Sequence, residues 1–326
     1  MRKLNFLVAL FVIVLFYSCS DDDNNRTTAE PTFEKVATNL PKLAFHQSVV
    51  FEGKIWVIGG VTRLTNGQEV YTNGIYSSND GVTFTNHGNG PFAIRGYHQV
   101  IAFNNKIWLF GGVHAIPGAQ TTYDDVWSST DGVTWVQETL ISNHFGARYG
   151  HKMITYDNKL WCIGGADESN TYRGDIWFTS DGLNWNLYQT PTNYFNNRYM
   201  HSLSVFNGEM ILIGGASNNF GRKNDIWKSS TGHTWSEVYA IGTLFSEREA
   251  HETIVKDDKL YVIGGSADNE VWESLNGVDW TNSFTINDTA NNLVGHTLLV
   301  FNDKILVVGG VFDANNYSSD IYTSNF

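Results

Sequence analysis

The chain has 326 residues, with 33 acidic against 21 basic side chains, a formal net charge of −12, and two cysteines. An acidic protein of this kind argues against nucleic acid or an anionic membrane surface as a partner. It is long enough to be stabilised by an apolar core without disulfides.

At the N-terminus, Arg2 and Lys3 precede an almost unbroken apolar run from Leu4 to Tyr17. A membrane span needs about twenty such residues, so residues 1–18 are predicted to be a signal peptide. The following string, FYSCSDDDNN, places a cysteine after a small residue. It resembles the lipobox of bacterial lipoproteins, although Phe16 and Tyr17 depart from the usual Leu-Ala/Ser pattern. The resemblance implies cleavage before Cys19 and its acylation, with an outer-membrane lipid as partner. Ser20 to Asp23 is similar to the acidic signal that sends Bacteroidetes-type lipoproteins to the cell exterior. Cleavage would remove Arg2 and Lys3, take the charge to −14, and leave Cys162 as the one remaining thiol. Residues 19–31 read as a flexible acidic tether, and 32–326 as the folded domain.

Within that domain a pattern repeats six times. Gly doublets preceded by apolar runs occur at 59–60, 111–112, 164–165, 214–215, 264–265 and 309–310. A histidine lies thirteen residues before the first glycine of each: His46, His98, His151, His201, His251 and His296. Paired aromatics eight residues apart follow five of the doublets: Tyr76/Phe84, Trp127/Trp135, Trp177/Trp185, Trp227/Trp235 and Trp272/Trp280. Between the members of each pair sit Asp-Gly, Thr-Gly or Asn-Gly dipeptides, which favour tight two-residue hairpins. The runs are short, rich in β-branched and aromatic residues, and bounded by Gly, Asn and Asp, which is strand chemistry. The third unit, for example, is predicted as strands at 151–156, 159–164, 175–179 and 183–188.

Six units of about fifty residues, each of four antiparallel strands, predict an all-β, six-bladed β-propeller. The sixth unit lacks a fourth strand before the chain stops at Phe326. The segment TFEKV (32–36) is expected to supply it from the other end of the chain and so close the ring. The pattern R-x-x-H…F-x-x-K-[IL]-W-x-[IF]-G-G…D-[IV]-W…W resembles Kelch repeats, as in galactose-oxidase-like propellers, over residues 32–326. The turn STDGVTW (129–135) is also similar to the Asp-box of sialidase propellers, one residue shorter.

All eleven tryptophans occupy repeat positions and are expected to pack between blades. The six histidines read as inter-blade core residues; a six-fold ring of them is too wide for one metal ion, and no metal or cofactor is expected. Cys162 falls at an apolar strand position, and the Cys–Tyr copper set of galactose oxidase is not matched. Function is expected on loops, since a rigid ring displays them. F-x-x-R-x-x-H recurs with Arg95, Arg148, Arg198 and Arg248, while blades one and six carry Leu43 and Leu293 instead. With Tyr97, Tyr149 and Tyr199 beside them, these arginines form a candidate arc around the pore mouth for a glycan or protein ligand, anionic ligands included, in a monomer without catalysis. The alternative is scaffold for the arginines, and for the protein a sugar epimerase/mutarotase resembling the Kelch-type sialic-acid epimerase. That activity would need a carboxylate acid–base, for which the loops offer Glu168, Glu247 and Glu249.

Overall fold

A computed structural model of the protein describes residues 31–141, 143–188, 194–286, 290–313 and 315–326. The predicted signal peptide, Cys19 and the acidic segment through Glu30 lie outside the described residues. The described chain is all-β, and six four-stranded antiparallel sheets form the blades of a propeller. Blade 3 is typical, with strands Lys152–Tyr156, Lys159–Ile163, Ile176–Thr179 and Asn186–Tyr188 running outward in that order. The first strand of every blade packs against the first strands of both neighbours, and Gln47–Phe51 meets Thr297–Phe301 to complete the circle. Blade 6 takes its outermost strand from the N-terminal end: Phe33–Val36 pairs antiparallel with Ile321–Ser324, Phe33 opposite Ser324 and Val36 opposite Ile321. Phe33 is buried there against Tyr261, Phe312 and Tyr322.

The thirteen-residue spacing has a steric cause. Strands one and two are joined by a two-residue turn, which brings the second glycine of the doublet back beside the histidine. A side chain on Gly60 would strike the Cβ of His46 at 2.7 Å, and one on Gly59 would strike the ring of His98, in the next blade, at the same distance. The doublet thus leaves room for one histidine from its own blade and one from the neighbour. The neighbour's ring also reaches back, with His98 Nε2 3.1 Å from the Ile58 carbonyl.

The hairpin turns differ from the sequence expectation. The two-residue turns are those between strands one and two, where pairs such as Asn104-Asn105, Asp157-Asn158 and Asp257-Asp258 all take positive φ. Asn and Asp tolerate that region better than most residues, and both central residues of a type I′ turn require it. The Asp-Gly dipeptides instead sit in longer loops between strands three and four. There Asp131 Oδ1 accepts the backbone N–H groups of Val133 and Thr134, while Ser129 Oγ donates to Asp131 and accepts from Gly132 N–H. Because this loop consumes residues 180–185, the fourth strand of blade 3 starts at Asn186 rather than at 183. Serine two positions before the aspartate is the element the two-residue reading overlooked.

Eight of the eleven tryptophans are buried, as expected from their register, while Trp127, Trp177 and Trp227 on third strands are only partly so. Trp56, Trp108 and Trp161 on second strands are at most 3% exposed. Fourth-strand positions Trp135, Trp185, Trp235 and Trp280 are also buried. Each of these four stands edge-on to the phenylalanine of its F-x-x-R segment, with ring centroids 4.9 to 5.5 Å apart. Cys162 is fully buried as a free thiol, and burial pushes its pKa up to about 12.

Candidate functional site

Both the arginine-bearing loops and the loops after the Gly doublets lie on one face, joined by bridges such as Gly96 to Val113 and Tyr199 to Ala216. At the mouth of the central channel on this face, the residue before each histidine adopts a left-handed backbone: Phe45, Tyr97, Gly150, Met200, Ala250 and Gly295. That conformation turns each N–H toward the preceding blade. Tyr97 N–H donates to the Phe45 carbonyl, Gly150 to Tyr97, Met200 to Gly150, Ala250 to Met200, and Phe45 to Gly295, all at 2.7–3.0 Å. A positive φ at Phe, Tyr, Met and Ala is costly, and the belt of hydrogen bonds is what holds it.

The arginines are corrected by the structure: Arg95, Arg148, Arg198 and Arg248 are each 0% exposed. Arg198 donates through Nη1 and Nη2 to the two carboxylate oxygens of Asp225 at 2.9 and 2.8 Å, and through Nη1 to the Gly214 carbonyl at 2.7 Å. Asp125, Asp175 and Asp268 hold Arg95, Arg148 and Arg248 in the same way. The phenylalanine of F-x-x-R underlies each guanidinium at 5.3–5.8 Å. Every prong of the fork has a partner and none faces solvent, so no ligand-contacting arc of guanidiniums exists. Desolvation pushes the carboxyls of Asp175 and Asp225 up, but the charge and hydrogen bonds of the paired arginine outweigh it and hold both below the usual carboxylate range. Asp125, Asp175 and Asp225 were visible as the D of D-[IV]-W, but their pairing with arginines 27 or 30 residues away was not read; in blade 5 that position is Glu270, and the partner is Asp268, 20 residues from Arg248.

Blades lacking the arginine show why the pair exists. Blade 1 has Leu43, buried in an apolar cluster, and Gly74 stands where blades 2, 3, 4 and 6 place aspartate. Blade 6 has Leu293 but keeps Asp320, which pairs with Lys35 of the closing strand at 2.8 Å.

The tyrosines remain at the surface. Tyr97, Tyr149 and Tyr199 are partly exposed around the mouth. With Phe45 and Tyr172 they make a continuous aromatic arc. Phe45 stacks on Tyr97 at 4.1 Å, Tyr149 meets Tyr97 and Tyr199 edge-on at 6.1 and 6.2 Å, and Tyr172 stacks on Tyr199 at 4.3 Å. Phe45 and Tyr172 were not anticipated from sequence, because Tyr172 lies on a post-doublet loop and Phe45 in a blade without the arginine. Burial pushes the Tyr149 phenol up to about 12 and raises those of Tyr97 and Tyr199 as well. Tyr149 Oη donates to Asn170 at 2.5 Å.

Beneath the arc the channel is narrow. A cavity of about 50 Å³ is lined by the histidine ring and by Gln47, Gln99, Lys152 and Glu252. Lys152 and Glu252, two blades apart, form an ion pair across it. This volume is too small for a sugar. The histidines are buried and neutral: desolvation lowers His46, His98 and His296 to about 3. Among the described residues no group of three or more His, Cys, Asp or Glu is arranged to hold a metal ion. The three candidate carboxylates differ. Glu168 and Glu247 are exposed, whereas Glu249 is partly buried near Tyr199 and paired with Arg222 at 3.1 Å.

Fold and site together define a six-bladed propeller locked by buried Arg–Asp clasps, with an aromatic mouth on its loop face. The chain belongs to the Kelch-repeat family: the KLHDC2/KLHL20/DRC7 Kelch-repeats domain matches residues 97–310. Among solved structures it is similar to one titled "Structure of YjhT", at 12% identity over 88% of this chain and 95% of that one, with a TM-score of 0.69. At that identity the likeness shows the fold alone. No curated protein matches the chain.

Proposed function

We propose that this propeller binds a glycan or protein ligand on its loop face without catalysing a reaction. The observation that carries the reading is the aromatic arc of Phe45, Tyr97, Tyr149, Tyr199 and Tyr172 on a rigid hydrogen-bonded rim. Flat rings with phenol hydroxyls offer an apolar surface to sugar C–H groups or to apolar side chains, and a hydrogen-bonding edge to their polar groups. Tyr149 and Tyr199 carry little of the core, so they can be removed without unfolding the domain. In a screen of glycans and extracellular proteins, Tyr149→Ala and Tyr199→Ala should weaken any binder by about tenfold or more each, a cost of at least about 1.4 kcal/mol. Binding indifferent to both changes would end the reading.

In the same proposal the propeller is a monomer tethered to the outer membrane through acylated Cys19 and facing the cell exterior. Its support is the sequence of residues 1–31. An alkyne fatty acid should label the wild type but not Cys19→Ala, and surface protease on intact cells should reach the propeller unless Asp21–Asp23 are replaced.

The second reading, a sugar epimerase or mutarotase, is favoured by one observation: Glu249 stands at the mouth against Tyr199 and Arg222. A carboxylate beside a protonated phenol is a workable acid–base pair. NMR of reducing-sugar anomers, sialic acid included, separates the two. Accelerated anomer exchange that Glu249→Gln abolishes would establish the enzyme.

A further inference from the structure

On the loop face, between blades 3 and 4, lies a groove of about 530 Å³, within the roughly 300–1,000 Å³ of small-molecule sites. One wall is the loop of blade 3 carrying Tyr172, and the other is the hairpin tip of blade 4 carrying Asn218, Asn219 and Phe220. The floor is the segment leading into Arg198, with Asn196 and Asn197. None of the ten lining residues is charged. Phe220 is 58% exposed, an unusual position for a large apolar ring on a polar hairpin tip. The four amides are exposed as well, and among the described residues their side chains make no hydrogen bond.

We propose that this groove is a subsite for an uncharged, hexose-type saccharide, with Tyr172 and Phe220 taking its C–H faces and the four asparagines its hydroxyls. The inference rests on the glycan branch of the function proposed above and names its substrate class. An asparagine amide offers both donors and an acceptor, which matches a hydroxyl group's own dual character. Carboxylate recognition, by contrast, calls for a cationic fork aimed into the groove, and neither nearby guanidinium lines it: Arg173 Nη2 is drawn to Asp167 at 3.2 Å and Arg222 Nε to Glu249 at 3.1 Å. The Lys223 ammonium lies over the Phe220 ring at 5.2 Å, so an acidic sugar is the competing occupant to be separated. The stacked pair Tyr172–Tyr199 joins the groove to the mouth, so an oligosaccharide could run from one to the other.

The test is calorimetric titration of the propeller with neutral linear pentasaccharides of hexoses (gluco-, manno- and galacto-configured) and, in parallel, with sialyllactose and oligogalacturonate. A neutral oligosaccharide should bind, with an affinity that changes little between about 0.05 and 0.5 M salt. Phe220→Ala should lower that affinity at least tenfold, and Asn218→Ala with Asn219→Ala several-fold, at an unchanged melting temperature. Phe220→Trp should retain it, and Tyr239→Ala, 76% exposed elsewhere on blade 4, should have no effect. Binding of acidic sugars alone would overturn the groove's chemistry while leaving glycan binding in place. Neutral binding lost in Tyr149→Ala but untouched by Phe220→Ala would move the site to the mouth and overturn the groove. Should no glycan bind at all, this inference falls together with the glycan branch of the proposed function.

Discussion

Asp225 grips Arg198 through both carboxylate oxygens, at 2.9 and 2.8 Å, inside a blade where the guanidinium has no exposed surface. A charge buried in this way is costly to leave alone, and removal of one partner costs about 3–5 kcal/mol. Arg198→Leu is therefore expected to lower stability by at most that amount, because Asp225, half-buried with its side chain 17% exposed, would be left without its cation. Arg198→Leu combined with Asp225→Gly copies the Leu43/Gly74 arrangement of blade 1 and should recover most of the loss. Urea denaturation of the two single variants and the double variant gives the coupling energy directly. Additive losses would show that the pair does not act as a unit.

Ring closure depends on a strand distant in sequence. Deleting Thr32–Val36 unpairs Ile321–Ser324, removes the Lys35–Asp320 ion pair and uncovers the core around Tyr261 and Tyr322. Phe33→Ala alone should cost about 3–5 kcal/mol, as for other buried phenylalanines. The full deletion should produce aggregation or a much larger loss, since it exposes a sheet edge. A deletion variant that melts within a degree or two of the parent would refute this closure.

Acid sensitivity should begin in the histidine range, before carboxylates titrate. Burial holds His46, His98 and His296 at about 3, and His151, His201 and His251 well below 6.5. Below about pH 6.5 the unfolded chain therefore binds protons that the folded one refuses. Their stabilising effect is complete above that pH and is lost as pH falls toward 3, at about 1.4 kcal/mol per histidine per pH unit. Thermal melts should drop by several degrees between pH 7.5 and 5.5. Equal melting temperatures at those two values would contradict the burial of the ring. Asp175 and Asp225 add their loss only below about pH 4, because their folded pKa values are depressed.

The cross-channel pair Lys152–Glu252 gives an independent probe of the interior. Glu252→Gln leaves the ammonium in the channel beside neutral histidines and should destabilise by about 1–3 kcal/mol. Lys152→Met with Glu252→Leu fills the same space without charge and should come close to the parent, as buried pairs replaced by apolar groups often do. Chemical denaturation of both variants decides. A double variant as unstable as Glu252→Gln would mean that shape, not charge, is what the channel requires.

What the sequence determined by itself was the architecture. The His-to-Gly spacing and the six doublets are local and periodic, each following from a contact within a blade or with the next one, and the strand missing from the sixth unit showed as a break in that period. The clash that a Cβ on Gly60 would make with His46 explains why that spacing cannot vary. What tertiary structure decided was which side of the surface a side chain occupies. An arginine on a loop reads the same whether its fork faces a ligand or an aspartate such as Asp225, 27 residues on. That choice depends on where the third strand brings the carboxylate, and strand position in space is not a property of local spacing. The loop face likewise became legible only when Tyr172 met Tyr199 and Phe220 came to line one groove with Asn196 and Asn197. Such contacts join residues whose separation in the chain carries no periodic signal.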